Sequence, residues 1–288
     1  MVWLAPGLGA GDAVWGAALL GLLVGSFLNV LILRLPVMLE RGWRSEALAT
    51  LDLPPESHEA FDLVRPRSRC GACGHPITWW ENIPVLSWLL LRGRCSACGT
   101  RIALRYPLVE IASAALSGAL VALQGPGVWT AGTVVLAWGL LALALIDFDT
   151  TLLPDGLTLP LLWLGLLLHA WLHPSFLPQA VAGAALGYAS LWCVYQAFRL
   201  LTGKEGMGFG DFKLFALLGA WFGPLALLPI IVLSALCGAV VGIALQRSGL
   251  LERGHPIPFG PFLATAGLIT LFIGPQRLVA WALGGGGI

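Results

Sequence analysis

Charge is scarce in this sequence. Of 288 residues 11% are charged and 58% hydrophobic, whereas a soluble domain carries about a quarter charged residues to cover its surface. That deficit excludes an ordinary water-solvated globule. The mean hydropathy of +0.85 points to lipid as the solvent for most of the chain. The net charge is +1 and there is no long basic run, so nucleic acid is not an expected partner. No Lys or Arg precedes the first apolar run; without the basic flank of a secretory signal, that run is expected to be a retained span. Internal repeats are missing, which argues against a transporter built from duplicated halves. No Rossmann-type cofactor fingerprint is present either.

What is there is a series of apolar runs long enough to cross a bilayer, which takes about 20 residues. They cover roughly 13–33, 106–123, 129–146, 157–172, 179–201, 212–245 and 257–283. The run 212–245 is too long for one span and contains Gly223-Pro224, so it is expected to break there into two. The fold class is then all-α, a polytopic helical bundle of about eight spans. With eight spans, every Lys and Arg except Arg277 falls on one side, which the positive-inside rule makes cytoplasmic, with the N-terminus outside. Residues 34–105 hold ten of the sixteen Lys and Arg and seven of the acids. The expected organisation is a first span at 1–33, a cytoplasmic polar domain at 34–105 and a membrane domain at 106–288.

The polar domain contains Cys70-Gly-Ala-Cys73 and Cys95-Ser-Ala-Cys98, 21 residues apart, each followed by glycine. Glycine after the second thiolate lets the chain turn so that backbone amides face sulfur. Four thiolates suit tetrahedral zinc, and with every position filled by sulfur the metal is structural. Two disulfides are the competing reading, disfavoured in a reducing compartment. His75 is expected beside the metal rather than on it. Cys193 and Cys237 stand alone in apolar runs and are read as packing residues.

Ionisable residues at membrane spans are costly and need a reason. Asp147 closes the run ending at Ile146. Asp149, two residues on, points away from it if the helix continues, and so is expected to shape the site rather than pair with Asp147. Asp155 follows Pro154 and reads as a helix N-cap. The second candidate is Gly206-Met-Gly208-Phe-Gly210-Asp211-Phe-Lys213. Its alternating glycines permit close backbone approach, and Asp211 opens the next span. If Asp147 and Asp211 meet, they share one proton as in an aspartic protease: one takes a proton from the attacking water, the other hydrogen-bonds the scissile carbonyl. Gly208, Gly210, Lys213 and Asp149 are expected to shape the substrate site. A helix N-terminus favours Asp211 as the ionised partner.

These residues together resemble the bacterial type IV prepilin peptidases. The resemblance rests on Gly208-Phe-Gly210-Asp211 before a span, Asp147 followed by Leu153-Pro154-Asp155, and the paired cysteine loop. It extends to Gly25-Ser26-Phe27-Leu28-Asn29-Val30, Glu81-Asn82-Ile83-Pro84, Arg105-Tyr106-Pro107-Leu108-Val109-Glu110, and the run from Pro256 to Pro261. It implies a multi-pass inner-membrane aspartic endopeptidase with Asp147 and Asp211 as the catalytic pair. Its expected substrates are prepilins and pseudopilins, cut after glycine at the cytoplasmic face, and its surroundings are lipid. It further implies N-methylation of the new N-terminal residue with S-adenosylmethionine, at a site the motifs do not fix beyond the zinc loop and Glu110. Asn29 is expected to bond a neighbouring helix. The competing functions are a presenilin-like GxGD protease with other substrates, a proton-coupled transporter using the same two aspartates, and a non-catalytic zinc-loop scaffold.

Overall fold

A computed structural model describes residues 9–56, 60–249 and 257–282. The described chain contains α-helices and no named strand. It packs as two units, 1–126 and 127–288.

The first unit is built on α1 (Ala10–Thr50) and α3 (Arg105–Gln124), with the short α2 (Leu86–Leu90) in the loop between them. The sequence ends the first span near residue 33, but α1 carries on through Pro36 to Thr50. The polarity changes there and the backbone does not. α1 and α3 touch backbone to backbone: a Cβ on Gly21 would lie 2.7 Å from the Ala114 Cα, and one on Gly25 would lie 2.6 Å from the Glu110 Cα. Two glycines four apart on one face give the close crossing expected of helices packed in lipid. Asn29 donates from Nδ2 to the Tyr106 carbonyl at 3.1 Å, so it bonds the neighbouring helix.

The second unit contains α4 (Val128–Thr150), α5 (Asp155–Leu172), α6 (Leu177–Thr202), α7 (Phe209–Phe222), α8 (Pro224–Arg247), α9 (Gly260–Ile273) and α10 (Pro275–Ala282). The break expected at Gly223-Pro224 is present, between α7 and α8. α7 is the centre of the unit, enclosed by α5, α6, α8 and α9, and every residue from Leu214 to Phe222 is buried. α6 reaches it through glycine: a Cβ on Gly183 would stand 2.2 Å from the Gly219 carbonyl oxygen. Outward-facing positions such as Trp163, Leu167, Leu228 and Leu236 are exposed and apolar, as in a surface solvated by lipid.

Each apolar run in the sequence is helical; the run 212–245 is the two helices α7 and α8, and the last is a pair, α9 and α10, bent by 104°. Among the described residues six helices are long and apolar enough to cross a membrane, seven if the bent pair counts as one span. The expected eighth, α7, has 14 residues and reaches only about 21 Å, short of a hydrocarbon core of about 30 Å.

Candidate active site

Asp147 lies in the last turn of α4. The helix ends at Thr151, which takes a left-handed conformation (φ 55°) and donates its N–H to the Asp147 carbonyl at 2.8 Å. That ending turns the chain at once into Leu153, Pro154 and α5. Asp147 is 4% exposed, whereas Asp149, farther round the same helix, is exposed. The structure thus separates the two acids as their spacing predicts.

Asp211 lies in the first turn of α7, which begins at Phe209 with Gly208 as its N-cap. From the third helical position the Asp211 carboxyl reaches back to the Gly208 N–H, the acidic half of a capping box. Asp211 is 8% exposed. Gly210 gives room to a different neighbour, since a Cβ there would stand 2.8 Å from the Leu153 Cβ.

The two carboxylates are close enough to repel one another, though 64 residues separate them in the chain. Leu153 packs beside both, against Gly210 on α7 and Gly260 on α9. Gly260 is a participant the sequence reading did not single out. It opens α9, turns its backbone N–H to the Asp147 carboxyl, and would place a Cβ 2.5 Å from Asp147 Oδ2. The run from Pro256 to Pro261 was its signal; Pro256 itself lies outside the described residues, as does most of the loop 246–256. Asp147 Oδ2 is buried with no hydrogen-bond partner among the described residues. A buried acceptor left open costs about 1–3 kcal/mol, and such groups mark sites where a substrate or water completes the bonding.

Asp155 is not the expected cap. Pro154 holds that position, and Asp155 is the first residue of α5. Its carboxylate pairs with Lys213, one turn after the start of α7, with Nζ at 2.7 and 2.8 Å from the two oxygens. Lys213 therefore ties α7 to α5 on the rim rather than reaching the carboxylate pair.

In the first unit the four cysteines converge. Their sulfurs lie within 4.8 Å of one another, with Cys70–Cys98 at 3.9 Å and Cys73–Cys95 at 4.0 Å. Tetrahedral zinc with Zn–S of about 2.3 Å places sulfurs about 3.8 Å apart, so the donor set fits that ion, while a disulfide needs about 2.05 Å. The two knuckles repeat one turn: Gly74 and Gly99 take φ of 74° and 71°, and each donates to the carbonyl of its first cysteine at 2.9 Å. The glycine after each pair is needed for that left-handed turn. His75 stands outside the sulfur cluster, its Nε2 3.4 Å from Glu81.

Glu81 joins the two knuckles. It accepts from the Ser96 hydroxyl in one, and from the Thr78 N–H and hydroxyl at 2.8 and 2.7 Å beside the other. Those donors, Ser96 foremost, hold its carboxyl down at a pKa of about 2.

The chain matches the bacterial peptidase A24 N-terminal domain over residues 19–124 and the type IV leader peptidase family over residues 134–243. It is 54% identical over 262 residues to the prepilin leader peptidase/N-methyltransferase of Stutzerimonas stutzeri, covering 90% of each chain. It is 55% identical to the protein of that name from Pseudomonas aeruginosa, over 90% of this chain and 89% of the relative. With the one from Aeromonas salmonicida it shares 52%, over 92% of each chain. No solved structure matches it.

Proposed function

The chain belongs to the type IV leader peptidase family, and on that premise we propose that it removes the leader from prepilins and pseudopilins and methylates the new N-terminal amine with S-adenosylmethionine. The observation that carries the peptidase half is the approach of two buried acids, Asp147 ending α4 and Asp211 opening α7. Two carboxylates that repel one another cannot both ionise easily and hold one proton between them. The ionised one takes a proton from water as it attacks the scissile carbonyl. The protonated one hydrogen-bonds the carbonyl oxygen and then serves the leaving amine. Asp211 suits the ionised role, because the first turn of a helix favours negative charge. Gly260 and Gly208 fix the two carboxyls from the backbone.

The four cysteines hold structural zinc. The near-tetrahedral sulfur spacing and the matched knuckles support this, and such a metal orders a loop with little core of its own. The protein is a multi-pass inner-membrane enzyme, with the acids at the cytoplasmic face and the N-terminus on the other side. The distribution of Lys and Arg supports that orientation. A prepilin, basic before its cut site and apolar after it, would present the scissile bond at that interface. Gly208 and Gly210 shape the approach of its backbone. The names of the relatives favour this reading over a presenilin-like protease, a transporter or a scaffold.

The test is to incubate membranes holding the protein with a prepilin and read the product by mass spectrometry. A new N-terminus directly after the leader glycine, bearing one added methyl group, supports both activities. An uncut prepilin would refute the peptidase reading, and a cut but unmethylated one would refute the transferase.

A further inference from the structure

The first unit contains a cleft of about 800 Å³ that the peptidase reaction does not use. It runs from the cysteine knuckles to the middle of α1 and the first turns of α3, and Glu110 is among the residues that line it. Glu110 is 8% exposed. Its Oε2 accepts the Val85 N–H at 2.8 Å, and the Ser26 hydroxyl is its other partner. No cation pairs with it among the described residues.

Two features mark this as a built site. Val85 takes φ 60°, a conformation that costs a β-branched residue of order 1–3 kcal/mol, and in it the amide is aimed at Glu110. Gly25 brings α1 so close to α3 that a Cβ would strike the Glu110 backbone, which sets Ser26 against the same carboxylate. Strain and close packing are both directed at one buried carboxyl. A buried carboxyl is costly to ionise without a counter-charge, and a cationic ligand would supply one. The carboxylate keeps free lone pairs beyond its two bonds.

The rest of the cleft gives the ligand its character. Trp88 and Tyr106 offer aromatic surface, with Trp88 fixed by its Nε1–H to the Ile102 carbonyl at 3.2 Å. Arg67, Arg69 and Arg101 line it as well. Glu81, the other acid, is already committed to Ser96 and Thr78. A flat aromatic ring, an isolated positive charge and a carboxylate are the parts such walls accept, and S-adenosylmethionine has all three.

The geometry points to this cleft as the S-adenosylmethionine site, with the Glu110 carboxylate against the sulfonium, Trp88 and Tyr106 against the adenine, and the arginines toward the amino-acid carboxylate. This rests on the methyltransferase half of the proposed function. In the transfer the pilin amine, having lost a proton to solvent, attacks the methyl carbon. The N–C bond forms as the C–S bond breaks, sulfur keeps the bonding pair, and S-adenosylhomocysteine leaves beside a methylated ammonium. Glu110 is a binding and positioning residue here: its charge is matched to the sulfonium and not to the neutral sulfur of the product.

The test uses the full-length, zinc-loaded protein in detergent. Tritiated S-adenosylmethionine is cross-linked by ultraviolet light and the labelled peptides are mapped. Affinities for S-adenosylmethionine and S-adenosylhomocysteine are then measured for wild type, Glu110→Gln and Glu110→Asp. Label is expected within residues 26–110. Glu110→Gln should weaken the sulfonium ligand by at least about tenfold while changing the neutral product far less, and Glu110→Asp should keep most of the preference. The ratio of the two affinities is read within each variant, so a general loss of folding cannot imitate it. Label confined to 127–288, or equal loss of both ligands in Glu110→Gln, would overturn the assignment while leaving methylation by the wild type intact. A wild type that neither binds the donor nor methylates would remove the transferase reading itself.

Discussion

The carboxyl group of Asp147 occupies the space where Gly260 would carry a side chain, with Oδ2 2.5 Å from the position of a Cβ. The glycine that opens α9 is thus part of the seat of one acid. Gly260→Ala should fold, because a single added carbon in a packed site costs roughly 1–3 kcal/mol. It should still displace the carboxyl, and a misplacement near 1 Å costs about 10²-fold in rate. We expect leader cleavage to fall by about that factor, with KM changed little. Steady-state cleavage of a purified prepilin checks this; wild-type kcat in the variant would show that Gly260 does not position Asp147.

The carboxylate pair has a second consequence, for pH. Cleavage needs one acid ionised and the other protonated, so the rate should rise and then fall with pH. Both limbs belong to the pair rather than to either residue. Below the lower limb both are protonated and no base remains; above the upper limb both are ionised and no acid remains. A profile of cleavage rate against pH that climbs to a plateau with no alkaline limb would contradict a shared proton.

Zinc should be present at one ion per chain, measurable by elemental analysis of the purified protein. Cys70→Ser or Cys98→Ser should lose it, since each removes a thiolate from a four-sulfur set. The same variants should make the loop 51–104 sensitive to protease, because the described residues there have little secondary structure besides α2 and a short 3-10 turn at 80–82. Retention of a full zinc equivalent in both variants would argue against a four-cysteine site.

The pair Lys213–Asp155 is geometrically good but exposed, at 30% and 53% of the side chains. Exposed ion pairs contribute about 0–1 kcal/mol, so Lys213→Ala should lower stability by less than about 1 kcal/mol and leave cleavage within a few-fold of wild type. A complete loss of cleavage would move Lys213 from the rim into the chemistry.

Much of this was legible in the sequence. The apolar runs give the helices because lipid leaves a backbone few alternatives, and Gly223-Pro224 marks the break between α7 and α8. The separation of Asp147 from Asp149 follows from two residues of helical rotation, and the sulfur cluster follows from paired CxxC motifs. Other features needed the fold. α1 outlasts its apolar stretch because a helix can leave the membrane without ending. Asp155 reads as a cap until Lys213, 58 residues away, takes its carboxylate. Gly260 and Val85 act by close approach to Asp147 and Glu110; the run from Pro256 to Pro261 marks a segment, but which acid it meets depends on contacts far apart in sequence.

Leader cleavage in membranes by wild type, Asp147→Asn, Asp211→Asn and Asp149→Asn, at matched protein levels, tests the carboxylate pair. The first two substitutions should each reduce cleavage by at least about 10²-fold, while Asp149→Asn still cuts. Cleavage surviving in Asp147→Asn or Asp211→Asn, or lost in Asp149→Asn alone, would contradict it.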